Sequence, residues 1–512
     1  MKLVSKANKS IENSNIKYIL TSTIFLFLFV LLSLLKDING LFFMTMLSFN
    51  VLMILSLKNY KQNISLIMFL LCYFMFLLGS YFLYEYFGFT RGVVLFEPKI
   101  QNHIYLSLLI SLLAIMIGYY FINIKFKKKN KYKNRINENV IMKCSLALFY
   151  LSYIPNTLIE ILRVLKVREF GYTDLYIDEA IRVPYMLGLF AYGCIFYFYI
   201  YLSTMPNKRE SKFPSFLYIM YSILTLFTGN RSVFVVNLSI LFIYSIFRSR
   251  NINDEDNWIS KRTLILVLCL IPILLILLDY LGSIRFSNTI FDENQSSSML
   301  DIFVKQGVSS SVIGYEKMYD YRIPDKLYSF GTIIEKIKYN PISRLIFDIE
   351  SIRGNSIERA MTGNSFAHAI SYIVLPFGYL HGRGLGTSYI AETYHDFGYI
   401  GIFIFSLIYG FILKKCSNFS SSSFVKRVMI IIVLGSLLMI PRTNADSVIS
   451  VFISNEFIFG IILIKLLTMF YTKYEKNRKA WSIFRNINSV EHLVSILYFT
   501  FFILILFYQC IF

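Results

Sequence analysis

Long apolar runs recur along the chain, broken by short polar segments. Thirteen of them approach membrane-spanning length, near 17–35, 41–57, 64–84, 104–124, 140–161, 183–204, 213–228, 232–247, 263–282, 397–413, 428–440, 447–470 and 492–511. A helix needs about 20 apolar residues to cross the roughly 30 Å hydrocarbon core. The pattern predicts an all-α, polytopic integral membrane protein with about 13 transmembrane helices. It divides into a bundle of nine helices over 1–282, one large polar segment over 283–396, and a second bundle of four helices over 397–512. The first run, preceded by a basic segment and lacking a small-residue cleavage site, reads as an uncleaved helix rather than a signal peptide.

Lysine and arginine set the orientation. With the N-terminus inside, the inner segments carry 30 basic residues and the short outer loops carry 9. That asymmetry places the N-terminus in the cytoplasm and the 283–396 segment outside. The segment holds 11 basic and 12 acidic residues and semi-apolar stretches such as Ser365 to Leu380. It reads as a folded external cap with amphipathic helices on the bilayer, not as a linker.

Composition supports the same class. Hydrophobic residues make up 56% and charged residues 16%, against about 25% charged in soluble proteins. The net charge of +20 is explained by cytoplasmic loops, so no nucleic-acid partner is expected. No Walker A or GxGxxG motif occurs, which excludes a self-contained ATP-driven pump and a nucleotide-sugar enzyme. The six cysteines and five histidines are scattered without ligand spacing. Neither a metal nor a cofactor is expected.

Two outer turns stand out. The runs 213–228 and 232–247 are short for a membrane, so the turn Gly229-Asn230-Arg231-Ser232 should be recessed, as should Arg442 after the run 428–440. Each arginine sits just before a helix, with Asn230, and Asn444 or Asp446, as candidate caps. Two guanidinium forks beside helix N-termini suit a phosphate or pyrophosphate. The alternative is pairing with a structural carboxylate such as Asp279, Asp446 or Glu456. Glu456 falls about halfway along its expected helix, as a functional carboxylate or as one half of a buried ion pair.

The densest cluster of special residues is His381-Gly382-Arg383-Gly384-Leu385-Gly386-Thr387-Ser388-Tyr389-Ile390-Ala391-Glu392-Thr393-Tyr394-His395-Asp396-Phe397-Gly398-Tyr399-Ile400-Gly401. A short helix over Ser388 to Tyr394 would set Glu392 and His395 on one face. Glu392, His395 and His381 are candidate catalytic groups, with Arg383 for charge stabilisation. The alternative is a solvated loop with Glu392 paired to Arg383.

The stretch from Gly384 to Gly401 resembles the G-x-S-x-I-x-E-x-Y-x-x-F-G-x-x-G segment of Wzy-type O-antigen and capsule repeat-unit polymerases. Gly229-Asn230-Arg231 is similar to that family's G-x-R turn, and Arg442 with Asp446 to its R-x-D element. The resemblance implies a GT-C-like glycosyltransferase of the bacterial cytoplasmic membrane, with its active site facing outward. It implies polymerisation of undecaprenyl-pyrophosphate-linked oligosaccharide, by attack of an acceptor hydroxyl on the anomeric carbon of the donor. Arg231, Arg442, Arg383, Tyr394 and Asp446 would then bind pyrophosphate or substrate, and Glu392, His395 or His381 would serve as base. Membrane lipid is a partner, and a chain-length regulator is a further partner the resemblance allows. The alternatives are an O-antigen-ligase-like glycosyltransferase and a non-enzymatic lipid-linked glycan flippase or transporter. A flippase needs charge along a full transmembrane path, whereas the first four helices here hold almost none.

Overall fold

The computed structural model describes residues 21–31, 33–34, 38–122, 138–171, 183–249, 258, 299–348, 352 and 354–480. The expected helices 263–282 and 492–511, and Asp279, lie outside the described residues. The described chain is helical: α1 (Thr21–Leu31), α2 (Gly40–Leu57), α3 (Tyr60–Phe87), α4 (Pro98–Tyr120), α5 (Glu138–Phe170), α6 (Tyr185–Ser203), α7 (Lys208–Phe227) and α8 (Arg231–Arg248) come first. After them come α9 (Met299–Gln306), α10 (Val308–Tyr319), α11 (Gly331–Lys338), α12 (Phe366–Val374), α13 (Tyr389–Cys416), α14 (Phe424–Met439) and α15 (Asn455–Ala480). Among the described residues, nine helices are long and apolar enough to cross a membrane. The protein is an all-α, multi-pass membrane protein.

Several boundaries differ from those the apolar runs predict. α7 and α8 have 20 and 18 residues, or roughly 30 and 27 Å at 1.5 Å per residue, so shortness does not recess their turn. α7 reaches back into charged residues because the Glu210 carboxylate accepts from the Asn207 N–H (3.1 Å) and closes the first turn. The expected helix 447–470 is broken. A single turn, Ser447–Ser450, and a 3-10 turn, Val451–Ile453, precede α15, and Glu456 lies in the first turn of α15 rather than halfway along a helix.

The interior is rich in tyrosine. Tyr73, Tyr105, Tyr119 and Tyr389 are fully enclosed. A buried hydroxyl needs a partner: Tyr73 donates to the Leu108 carbonyl (3.2 Å) and Tyr119 to Asn63 (2.8 Å). Phe27, Phe121, Phe213 and Ile400 point outward, as lipid-facing side chains would. α4 and α13 pack backbone to backbone. A Cβ on Gly118 would sit 2.2 Å from the Leu407 carbonyl oxygen, and one on Gly410 2.3 Å from that of Ile115. Only glycine permits this approach. It fixes α13, the helix that carries Glu392 and His395.

Candidate active site

α13 is two helices joined at a break. Gly398 has φ 61° and ψ −153°, a conformation only glycine adopts readily. In the part before the break, Glu392 reaches the loop Ile440 to Asp446, and Tyr394, His395 and Asp396 reach the 299–396 segment.

Glu392 is completely buried. Its carboxylate accepts from the Thr387 hydroxyl (2.8 Å) and from the Ala445 N–H (2.7 Å). The Ala445 carbonyl in turn accepts from the Tyr409 hydroxyl, also on α13. Ala445 is therefore held at both its N–H and its carbonyl. That anchors the loop bearing Arg442.

Arg442 lies partly buried between two elements. Its Nη1 donates to Gln306 on α9 (2.8 Å), and its guanidinium lies 5.4 Å from the centre of the Phe76 ring. Arg231, the first residue of α8, lies close enough for the two positive charges to repel. Gly229 supplies the left-handed turn (φ 79°) that ends α7 and delivers Arg231 there. Asn230 occupies the cap position, but its side chain makes no capping hydrogen bond.

The remaining carboxylates hold the 299–396 segment in place. Asp396 accepts from the N–H groups of Tyr328 (3.1 Å) and Ser329 (2.6 Å). Asp446 accepts from the Ile333 N–H (2.7 Å) at the start of α11, although burial pushes its carboxyl above the usual range. Asp446 thus meets the N-terminus of α11 rather than capping its own short helix. His395 sits 3.7 Å from Glu316 and 3.5 Å from Asp320, at the end of α10. The Tyr394 hydroxyl accepts from Lys317 (3.0 Å). His381 is exposed and lies against the Phe377 ring, 4.1 Å between centres. Arg383 is partly buried on the same loop.

Compared with known families, residues 16–475 match the family described as O-antigen polysaccharide polymerase Wzy. The chain belongs to the Wzy family. It is an O-antigen repeat-unit polymerase of the membrane, and the match takes in the helices on both sides of the 299–396 segment. No curated relative and no solved structure matches it.

For this Wzy chain the structure brings Arg231, Arg442, Glu392 and Asp446 together around one loop. It turns His395 and Tyr394 of α13 toward α10 and leaves His381 exposed. Sequence reasoning missed Glu316, Asp320 and Lys317, which reach the site only because α10 folds onto α13. It also missed Glu160, 3% exposed inside α5, which is paired with Arg163 (2.9 Å) and accepts from Thr228 (2.9 Å) beside the Gly229 turn. A carboxylate within the apolar run 140–161 was the available signal.

Proposed function

We propose that this polymerase joins undecaprenyl-pyrophosphate-linked repeat units at the outer side of the bacterial cytoplasmic membrane. A hydroxyl of the acceptor repeat unit attacks the anomeric carbon of the donor glycan. The new glycosidic C–O bond forms as the C–O bond to pyrophosphate breaks, and lipid pyrophosphate leaves with the electron pair. The carrier already activates the sugar, so no nucleotide is used.

One observation carries this reading: Arg231 opens α8 and Arg442 lies partly buried just after α14, so that two guanidinium groups from separate helices come near one another. Two like charges held together in a partly buried site become favourable when a multivalent anion lies between them. A pyrophosphate offers oxygens to both forks and to the N-terminus of α8. The arginines would then stabilise charge that develops on the leaving group, which is where stabilisation accelerates the reaction.

The expected bases take different roles. Glu392, enclosed and holding the Ala445 peptide, is assigned as a positioning residue for the Arg442 loop. His381 Nδ1 lies 2.8 Å from the Phe377 carbonyl oxygen, which can only accept. Its neutral ring therefore carries the proton on Nδ1 and leaves the Nε2 lone pair for the acceptor hydroxyl.

The test is polymer length in cells carrying Arg231→Ala or Arg442→Ala at normal protein level. Polymer should vanish and single lipid-linked repeat units should accumulate. Arg→Lys, which keeps charge but loses the fork, should restore part of the length. Normal chain length in both alanine variants would remove the pyrophosphate role.

A further inference from the structure

Glu316 on α10 is an unusual carboxylate. It is 0% exposed, and neither of its side-chain oxygens has a hydrogen-bond partner among the described residues. Burial pushes its carboxyl above the usual range. Burying a carboxylate without donors is costly, so such a group calls for a compensating charge.

Three donor atoms converge there. Glu316 Oε1 lies 3.7 Å from His395 Nδ1, and Asp320 Oδ1 lies 3.5 Å from the same nitrogen. One ligand atom from each of the three residues lies within 4.8 Å of the others. These separations exceed the about 2.7–3.2 Å of a hydrogen bond. The two distances to His395 Nδ1 are close to those between neighbouring ligands on one ion. With metal–ligand distances of about 2.1 Å, the edge of a tetrahedron is roughly 3.4 Å. The nearby ammonium, Lys317, is directed to the Tyr394 hydroxyl instead. Asp396 spends both its oxygens on the Tyr328 and Ser329 amides. The rings of Tyr328 and Phe366 close the apolar side of the imidazole, at 5.3 and 5.9 Å between centres. Asp320, with its side chain 61% exposed, marks the side open to solvent.

We propose that Glu316, Asp320 and His395 form a divalent-cation site that joins α10 to the first half of α13. The donor set of one imidazole and two carboxylates favours a first-row ion such as Zn²⁺ or Mn²⁺ over Ca²⁺ or Mg²⁺, which prefer all-oxygen shells. Three protein ligands leave positions open toward the solvent side. The ion supplies ligand bonds and further positive charge to the buried Glu316, beside that of His395, and joins the 299–396 segment to the transmembrane bundle. The site departs from the expectation of no metal, because its ligands are assembled by the fold and not by spacing in the sequence.

The experiment uses the purified full-length protein in nanodiscs, stripped with chelator and titrated with Mn²⁺. Bound ion is counted by electron paramagnetic resonance. The expected result is one tightly bound Mn²⁺ per chain, with spin-echo modulation from a coordinating imidazole nitrogen. Glu316→Gln and His395→Ala should each weaken binding by about 100-fold or more, since even outer-shell partners of metal ligands are worth about 10–100-fold. The nitrogen modulation is read on the unaltered protein, so a variant that misfolds leaves the test intact. Absence of stoichiometric binding, or binding without nitrogen modulation, would overturn the site. In that case His395 is a protonated histidine shared by two carboxylates. Because the readout is binding and not turnover, its failure leaves the polymerase reading where it stands.

Discussion

Substituting Glu392 separates a positioning role from a basic one. Its two oxygens accept from the Thr387 hydroxyl and the Ala445 N–H. In Glu392→Gln the amide oxygen can keep the Ala445 N–H, while the amide NH₂ donates to Thr387, whose hydroxyl can turn to accept. Both contacts survive, and only the capacity to take up and release a proton is lost. The expected stability change is about 1 kcal/mol or less, with turnover within about tenfold. Glu392→Ala leaves a buried N–H unpaired, at about 1–3 kcal/mol, and also a void. We expect a loss of about 2–4 kcal/mol in total, with the Tyr409 hydroxyl still holding the Ala445 carbonyl. Thermal unfolding in detergent and a gel-based chain-length assay read the two effects. Loss of a general base costs about 10²–10⁴ in rate. A Glu392→Gln protein with unchanged unfolding temperature and turnover down by that amount would refute the positioning role.

Gly410→Ala forces a Cβ against the Ile115 carbonyl oxygen and should destabilise by about 1–3 kcal/mol; a neutral effect on unfolding temperature would mean that α4 and α13 can slide apart freely. Gly398→Ala must adopt φ 61° and ψ −153°, at about 1–3 kcal/mol, and should lower activity by moving Glu392 and His395 together. Burial, with the Arg359 charge nearby, pushes His368 from 6.5 down to about 4. A histidine held neutral in this way stabilises the folded state above its ordinary value and loses that contribution as pH falls. Hydrogen-exchange protection factors over 366–380, corrected for the intrinsic rate at each pH, should therefore fall as pH drops from about 6.5 to 4; equal protection at both ends would refute it.

The helices were legible because a chain crossing hydrocarbon must satisfy its backbone polar groups within itself, and an apolar run of membrane length does so as a helix. α2 and α6 begin and end within about two residues of their runs, and α4 within about six. Breaks were harder to read. The run 447–470 looks continuous, yet the chain there folds as two short turns before α15, and apolar content alone does not record where a helix stops. Arg231 and Arg442 do stand at turns, although the shortness expected of the helices beside Arg231 does not hold for α7 and α8. Gly398 makes the break in α13, and Gly401 allows the close approach to the Thr393 carbonyl oxygen. Glu316 and Asp320 stayed hidden because their partner, His395, is distant in the sequence. Their one local sign was a pair of carboxylates four residues apart, which on a helix share a face.

The most direct measurement mixes the purified protein with a repeat unit linked to undecaprenyl pyrophosphate, without nucleotide, and separates the products on a gel. The account predicts a ladder spaced by one repeat unit, lost in Arg231→Ala and Arg442→Ala. Intact substrate with no ladder, or a ladder indifferent to both arginines, would contradict it.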